Sequence, residues 1–118
     1  MSDTIFGKII RGEIPGNFIY EDEYCVAIND IHPQAPVHVL AIPKGAYVSF
    51  DHFAGEAPEA ELVDFHRTVA KVCAILGLTG DEGFRAITNA GAHGMQEVPH
   101  YHMHILGGRS LGRMLERG

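Results

Sequence analysis

Three histidines alternate with other residues near the end of the chain, in the segment 100–108, which reads His-Tyr-His-Met-His-Ile-Leu-Gly-Gly. In an α-helix, residues two positions apart point to nearly opposite sides, whereas in a β-strand they share one face. Only the extended conformation therefore brings the rings of His100, His102 and His104 to the same side. The pattern predicts a strand with an apolar face for the core and a histidine face available for chemistry.

Hydrophobic periodicity predicts a series of short strands, with one helix before them and a longer helix between the third and the fourth strand. Because the strands come mostly as neighbouring pairs, the expected fold is α+β: one domain over 1–118, built on a five-stranded antiparallel sheet with two helices on one side. The segment 44–57 is expected to be an irregular connection. The helices are predicted over 4–11 and 58–76, and the other strands over 18–20, 25–28, 37–42 and 84–89.

The charge and composition exclude several classes of protein. A formal net charge of −6 argues against a general binder of nucleic-acid backbones, which would be basic. The chain has no run of eighteen apolar residues and no secretory signal, so a cytoplasmic protein with no membrane partner is expected. Cys25 and Cys73 lie far apart in apolar contexts, which indicates small core residues in a reducing compartment.

One interpretation of the histidine face is a metal site. Two histidines at positions i and i+2 of a strand can share one zinc ion, and His38, at the start of the strand 37–42, offers a third ligand. Binding of one ion by all three histidines of the segment is unfavourable, because the outer pair lies roughly 13 Å apart along the strand. No cluster of carboxylates or cysteines accompanies the segment.

A second interpretation is nucleophilic catalysis. A neutral imidazole can attack phosphorus directly, and with an ordinary pKa of about 6.5 the ring is mostly neutral at pH 7. A flanking histidine can orient the nucleophile, and the turn at Gly107-Gly108 can offer backbone N–H groups to phosphate oxygens. The third interpretation, a surface strand whose histidines do nothing, does not explain why three of eight histidines alternate within five residues.

Several segments together resemble one known family, the histidine-triad (HIT) superfamily, and within it the Hint branch. The triad segment with its Leu-Gly-Gly ending matches the family pattern, and the tail 109–118 is more like that of bacterial members. The resemblance covers nearly the whole chain. The other matching segments are 3–15, 30–38 with 42–44, 88–91 and 94–96.

The resemblance implies a purine nucleoside phosphoramidase, which releases AMP or GMP from its conjugates through a nucleotidylated histidine, with no cofactor and no metal. It implies that His102 is the nucleophile, that His104 lies on the leaving-group side, and that His100 and His38 form a supporting relay. It further implies a purine nucleotide site and a homodimer joined through the long helix and the strand 84–89. The implied nucleotide-binding residues are Ile5, Phe6, Ile28, Asp30, Ile31, Asn89, Gln96 and Glu97.

Two positions depart from the family pattern. Many members have serine or threonine where this chain has Glu97, and a glutamate pointing inward would repel a phosphate, so its backbone N–H is the group expected to serve. His32 stands where serine is common and is expected to face outward. Two alternatives to the phosphoramidase stay open: a dinucleoside polyphosphate hydrolase of a sister branch, and a zinc- or nucleotide-binding interaction protein.

Overall fold

The computed structural model describes residues 3–116, and within them it contains three helices and five strands. The strands form one antiparallel sheet in the order β1-β2-β3-β5-β4, which confirms the α+β class and the five strands, whereas the helices number three and not the expected two. No helix in the described part of the chain is long and apolar enough to span a membrane. The elements are α1 Ile5–Ile10, β1 Phe18–Glu21, β2 Cys25–Asn29, β3 Val37–Pro43, α2 Phe50–Glu56, α3 Glu59–Ile75, β4 Arg85–Ile87 and β5 Met103–Gly107.

Local side-chain chemistry sets the ends of α1 and the first hairpin. The hydroxyl of Thr4 accepts a hydrogen bond from the backbone N–H of Gly7 at 3.1 Å, and Gly12 follows the helix with a φ of 79°. In the β1–β2 turn the carboxylate of Asp22 accepts from the backbone N–H groups of Tyr24 and Cys25, at 2.9 and 2.8 Å. This side-chain turn replaces the Asn-Gly dipeptide that tight hairpins favour.

The sheet is covered on both faces, which corrects the expectation of helices on one side. Along β3, Leu40 and Ile42 pack with Phe6 and Ile9 of α1, whereas Val39 packs with the core under α3. Because side chains of a strand alternate between faces, the continuous apolar run of β3 requires cover on both sides. Of the two clusters of buried hydrophobic residues, the one on the α1 side of the sheet is the smaller.

The helix α2 lies within the segment predicted to be irregular. It has seven residues, includes Gly55 and carries one buried side chain, Phe53, so it shows no sustained helical periodicity. Phe53 packs against the rings of Phe65 and Tyr101, with centroids 5.3 and 5.1 Å away. The tertiary contact of Phe53, rather than local propensity, therefore accounts for α2.

The strand β5 begins at Met103 and not at position 100. Its partner β3 ends at Pro43, which has no N–H to donate, and the carbonyl of Pro43 is bonded to the ring of His100 at 2.7 Å. Tyr101 donates its backbone N–H to the carbonyl of Tyr47 instead, at 2.7 Å. The ladder therefore stops before His102, although the chain continues in the same direction.

Candidate active site

The register of the sheet brings distant residues into one row. Ile28 of β2 lies opposite Leu40 of β3, and Leu40 lies opposite His104 of β5. His38 is two residues from Leu40 on the same face, so it is the diagonal neighbour of His104 across the ladder. Their rings lie 5.1 Å apart between centroids. Antiparallel pairing alone therefore explains why these two imidazoles meet.

The three rings of the triad lie on one side of the chain, as predicted, and that side faces α1. The ring of Phe6 is 4.8 Å from that of His102 and 6.5 Å from that of His100, between centroids. His102 and His104 are 5.1 Å apart on the same measure. Tyr101, between two of the histidines, instead joins the aromatic core under α2 and α3.

A cavity of about 410 Å³ opens between α1, the end of β2 and the loop before β5. The rings of His102 and His104 line it, together with all eight residues that the sequence resemblance implied for nucleotide binding. An apolar section, from Ile5, Phe6, Ile28 and Leu40, lies beside the polar groups of Asp30 and Asn89. A cavity with an apolar slot and a few convergent polar groups is typical of a small-molecule site. The complete lining is Ile5, Phe6, Ile9, Ile28, Asn29, Asp30, Ile31, His32, Gln34, Leu40, Asn89, Met95, Gln96, Glu97, Val98, His102 and His104.

The hydrogen bond of His102 determines its tautomer. Its Nδ1 lies 2.8 Å from the carbonyl oxygen of His100, and a carbonyl can only accept. The neutral ring therefore carries its proton on Nδ1 and has its lone pair on Nε2. The carbonyl of His102 itself accepts from the hydroxyl of Thr88 at 3.0 Å, which ties this residue to the end of β4.

A similar argument assigns protons to His38 and His104. The backbone N–H of Gln34 donates to Nδ1 of His38 at 3.0 Å, so the proton of the neutral His38 ring is on Nε2. That Nε2 lies 2.9 Å from Nδ1 of His104, which must then accept. The neutral ring of His104 consequently carries its proton on Nε2. Of the two histidine rings that line the cavity, His102 thus offers a lone pair and His104 offers an N–H donor.

Burial keeps the rings of the triad neutral. It lowers the pKa of His102, although the hydrogen bond to the His100 carbonyl and the charge of Asp30 offset part of this effect. Burial, with the neighbouring His102 and His38 rings, lowers the pKa of His104 to about 4. The pKa of His100 is lowered by burial as well. A neutral His102 is the form in which imidazole is a nucleophile.

His100 occupies a different position from the one expected of a relay residue. Its ring is 1% exposed and donates Nε2–H to the carbonyl of Pro43 at 2.7 Å. Its link to His102 runs through its own backbone carbonyl. Neither His100 nor His38 lines the cavity, so they support the two rings that do.

The side chains of Asp30 and Gln96 are both engaged with the protein. Asp30 accepts the backbone N–H of His32 at 2.8 Å, and its other oxygen lies 3.3 Å from Nε2 of His38. The amide of Gln96 donates to the carbonyls of Val48 and Val98, at 2.6 and 3.0 Å. Its oxygen accepts from the backbone N–H of Gly91 at 3.2 Å. Gln96 therefore holds the loop 91–98 in shape at the cavity wall.

Some lining residues were missed in the sequence. Leu40 and Ile9 have a detectable signal, since Leu40 shares a strand face with His38 and Ile9 lies one helical turn from Ile5 and Phe6. His32 was expected to face outward; it is exposed but also lines the cavity. The other residues missed are Asn29, Gln34, Met95 and Val98, of which Met95 has a φ of 56° that no local pattern indicates.

Asp30, His38 and His104 offer ligand atoms within 4.8 Å of one another, close enough to hold a metal ion. The nitrogen and oxygen donors suit zinc. An ion bound there would replace the proton between His38 and His104, so metal binding and the hydrogen-bonded pair are alternatives.

A five-stranded antiparallel sheet that presents alternating histidines to a nucleotide-sized cavity defines the class of histidine-triad proteins. Residues 11–111 match the HIT domain family. The chain belongs to that family. The Escherichia coli (strain K12) protein named purine nucleoside phosphoramidase is 45% identical over 113 residues, which is 96% of this chain and 93% of that protein.

Another relative and two solved structures agree on the family. An uncharacterized HIT-like protein of Azospirillum brasilense is 45% identical over 98% of this chain and 94% of its own length. Among solved structures, a HIT family hydrolase from Clostridium thermocellum has a TM-score of 0.84 and 41% identity, covering 98% of this chain and 99% of that one. A histidine triad protein from Clostridium difficile has a TM-score of 0.83 and 40% identity, with 96% of each chain covered.

Proposed function

We propose that the protein is a purine nucleoside phosphoramidase, which hydrolyses the P–N bond of purine nucleoside 5′-phosphoramidates through a nucleotidylated His102. The observation that carries the proposal is the tautomer of His102, whose Nδ1–H is bonded to the His100 carbonyl so that the Nε2 lone pair is available. The name of the E. coli relative supports it.

The reaction has two balanced steps. The Nε2 lone pair of His102 forms a bond to phosphorus, the P–N bond breaks, and the leaving amine nitrogen takes a proton from solvent. Water then attacks phosphorus and loses a proton, the N–P bond breaks, and His102 regains its lone pair. Because the pKa of His104 is about 4, its neutral Nε2–H acts as a hydrogen-bond donor to the phosphoryl oxygens or the leaving nitrogen, rather than as an acid.

The cavity provides places for the other parts of a nucleotide. The apolar section formed by Ile5, Phe6, Ile28 and Leu40, together with Ile31, suits a flat purine base. The carboxylate of Asp30 suits the ribose hydroxyls, which donate hydrogen bonds. A ribose hydroxyl bound to Asp30 would occupy the carboxylate oxygen that lies near Nε2 of His38. The Nε2–H of His38 would then be hydrogen-bonded to His104 alone. Asn89 and the backbone of the loop 91–98 are then on the phosphate side.

The charge of the cavity favours this substrate over a dinucleoside polyphosphate. No described residue in its lining is lysine or arginine, whereas Asp30 and Glu97 are acidic. A phosphoramidate carries one negative charge at the reacting phosphorus, but a polyphosphate chain carries several and would lack cationic partners.

We also propose that the protein is a homodimer joined through α3 and β4. The strand β4 is at one edge of the sheet, and an exposed edge invites pairing. Val63 and Ile75 on α3 and Phe84 beside β4 are 53%, 59% and 46% exposed. On α3, Cys73 is buried in the core of its own chain, whereas Val63 and Ala70 are exposed on the face proposed for the partner.

The proposal is tested by quenching the reaction with an adenosine 5′-phosphoramidate within a turnover and searching for AMP covalently bound to His102 by peptide mass spectrometry. The wild type should accumulate the adduct and release AMP, and His102→Asn should do neither. His93→Asn, which changes an exposed histidine outside the cavity, is the matched control and should behave as the wild type. Turnover of diadenosine polyphosphates in preference to phosphoramidates would support the sister branch, and AMP or zinc binding without turnover would support the interaction protein.

A further inference from the structure

Glu97 stands at the boundary between the active-site cavity and a second depression. This depression, here called the exit groove, has a volume of about 440 Å³ and is lined by Asp3, Thr4, Ile5, Glu97, Val98 and Pro99. The cavity and the exit groove share Ile5, Glu97 and Val98. A substituent that extends from the cavity into the exit groove therefore crosses the edge formed by Ile5, Glu97 and Val98.

In the described part of the chain, the Asp and Glu side chains that line the cavity and the exit groove are not accompanied by strongly basic ones. Among the described residues, neither lining contains a lysine or an arginine. Asp30 is bonded to His32 and lies beside His38, and Asp3 lies 3.9 Å from Arg11. No lysine, arginine or histidine within residues 3–116 forms an ion pair with Glu97. Glu97 is thus the carboxylate on the path whose charge is not balanced by a described neighbour.

We propose that Glu97 is a specificity residue for the leaving group, and that the protein prefers phosphoramidates whose leaving amine carries a second, positively charged group. The inference rests on the proposed phosphoramidase activity. In this arrangement the phosphorus and the P–N nitrogen lie at His102 and His104, and the far end of the leaving amine extends to the edge that the cavity shares with the exit groove, where a cationic end pairs with Glu97. A leaving amine with an anionic end meets Glu97 and Asp3 and is disfavoured.

The attraction acts on the bound substrate as well as on the transition state, because Glu97 does not touch the reacting bond in this arrangement. Such uniform binding lowers KM and leaves kcat nearly constant between substrates. An exposed ion pair corresponds to a preference of about two- to fivefold, and salt screens it.

Three adenosine 5′-phosphoramidates of similar length test the inference: those of cadaverine, pentylamine and aminovalerate, whose far ends are cationic, neutral and anionic. The wild type should show a kcat/KM about two- to fivefold higher for the cadaverine amide than for the pentylamine amide, through KM, and a lower value for the aminovalerate amide. Glu97→Gln should bring the cadaverine-to-pentylamine ratio close to one, as should about 0.5 M sodium chloride. Glu97→Asp, which keeps the charge, should retain part of the preference.

The control is Glu23→Gln, which removes an exposed carboxylate outside both linings and should keep the wild-type ratio. A wild-type ratio of one or less, or an unchanged ratio in Glu97→Gln, overturns the role of Glu97 while turnover of the pentylamine amide upholds the phosphoramidase. Absence of turnover on all three amides overturns the proposed function, and the inference with it.

Discussion

Nε2 of His38 lies 2.9 Å from Nδ1 of His104, although the two residues are 66 positions apart in the chain. The backbone N–H of Gln34 fixes the proton of His38, and His38 in turn fixes that of His104. The orientation of the N–H donor that His104 offers to the cavity therefore depends on His38, a residue that does not line the cavity.

Removing the donor of His38 should reduce turnover without removing the nucleophile. We expect His38→Phe to lower kcat about tenfold to a hundredfold, because His104 would lose the bond that sets its tautomer. His38→Gln, which can still offer an N–H, should recover part of the loss. Steady-state kinetics on an adenosine phosphoramidate provide the measurement, and wild-type kcat in His38→Phe would show that the pair has no part in turnover.

On the acidic side of its pH profile, kcat/KM should fall with a midpoint below pH 6.5; this fall is called the acid limb. In the proposed reaction the neutral form of His102 is the active one, and burial lowers its pKa from about 6.5, so protonation and loss of activity should require a lower pH than for a free imidazole. Asp30 raises this pKa, so Asp30→Asn should move the limb to still lower pH, in addition to any effect on KM. A limb above pH 6.5 in the wild type would contradict the assignment.

The stability of the fold should fall as the pH is lowered from about 6.5 to about 4. Unfolded His104 binds a proton near pH 6.5, whereas folded His104 resists it until about pH 4. The expected loss for this residue is about 1–2 kcal/mol, discounted because the ring is partly exposed to solvent. Urea unfolding across this range measures it. In His104→Asn the decline should be shallower, and an equal decline in both proteins would assign it to other groups.

Replacing His100 should affect stability more than chemistry. In His100→Phe the carbonyl of Pro43 loses its buried donor, and the free energy of unfolding should fall by about 1–3 kcal/mol. The carbonyl of His100 that orients His102 remains. Well below the melting temperature, the loss of activity should therefore be much smaller than in His102→Asn, and a loss of equal size would make the His100 ring part of the chemistry.

Turnover should persist in excess EDTA, and added zinc should inhibit. Zinc bound by Asp30, His38 and His104 would displace the proton between the two histidines and occupy the donor that faces the substrate. Initial rates with EDTA, and with rising zinc, provide the test. Activity that EDTA abolishes and zinc restores would place the protein in the metal-dependent class.

The sequence predicted the parts of the site that follow from periodicity. Alternation placed the rings of His102 and His104 on one side, and the residues named for nucleotide binding do line the cavity. Strand pairing is a non-local property, so no pattern near His38 or near His104 could predict that their rings meet. The family resemblance, rather than spacing, supplied Asp30 and Asn89.

The errors in the predicted fold have tertiary causes. The helix α2 depends on the contact of Phe53 with Phe65 and Tyr101, and these residues are distant in sequence. The late start of β5 depends on the missing N–H of Pro43, a residue of another strand. The position of α1 on the second face of the sheet could be inferred from the unbroken apolar run of β3, which needs cover on both sides.

The stacking of Tyr101 on Phe53 has a consequence for how a ligand is admitted. Tyr101 lies between His100 and His102 in the chain and is held in the aromatic core, so His102, the proposed nucleophile, cannot move without disturbing that packing. Movements that open the cavity must then come from the elements on its other side, α1 and the loop 91–98. The reacting ring is preorganised, and adaptation to different nucleotides is left to the walls that enclose them.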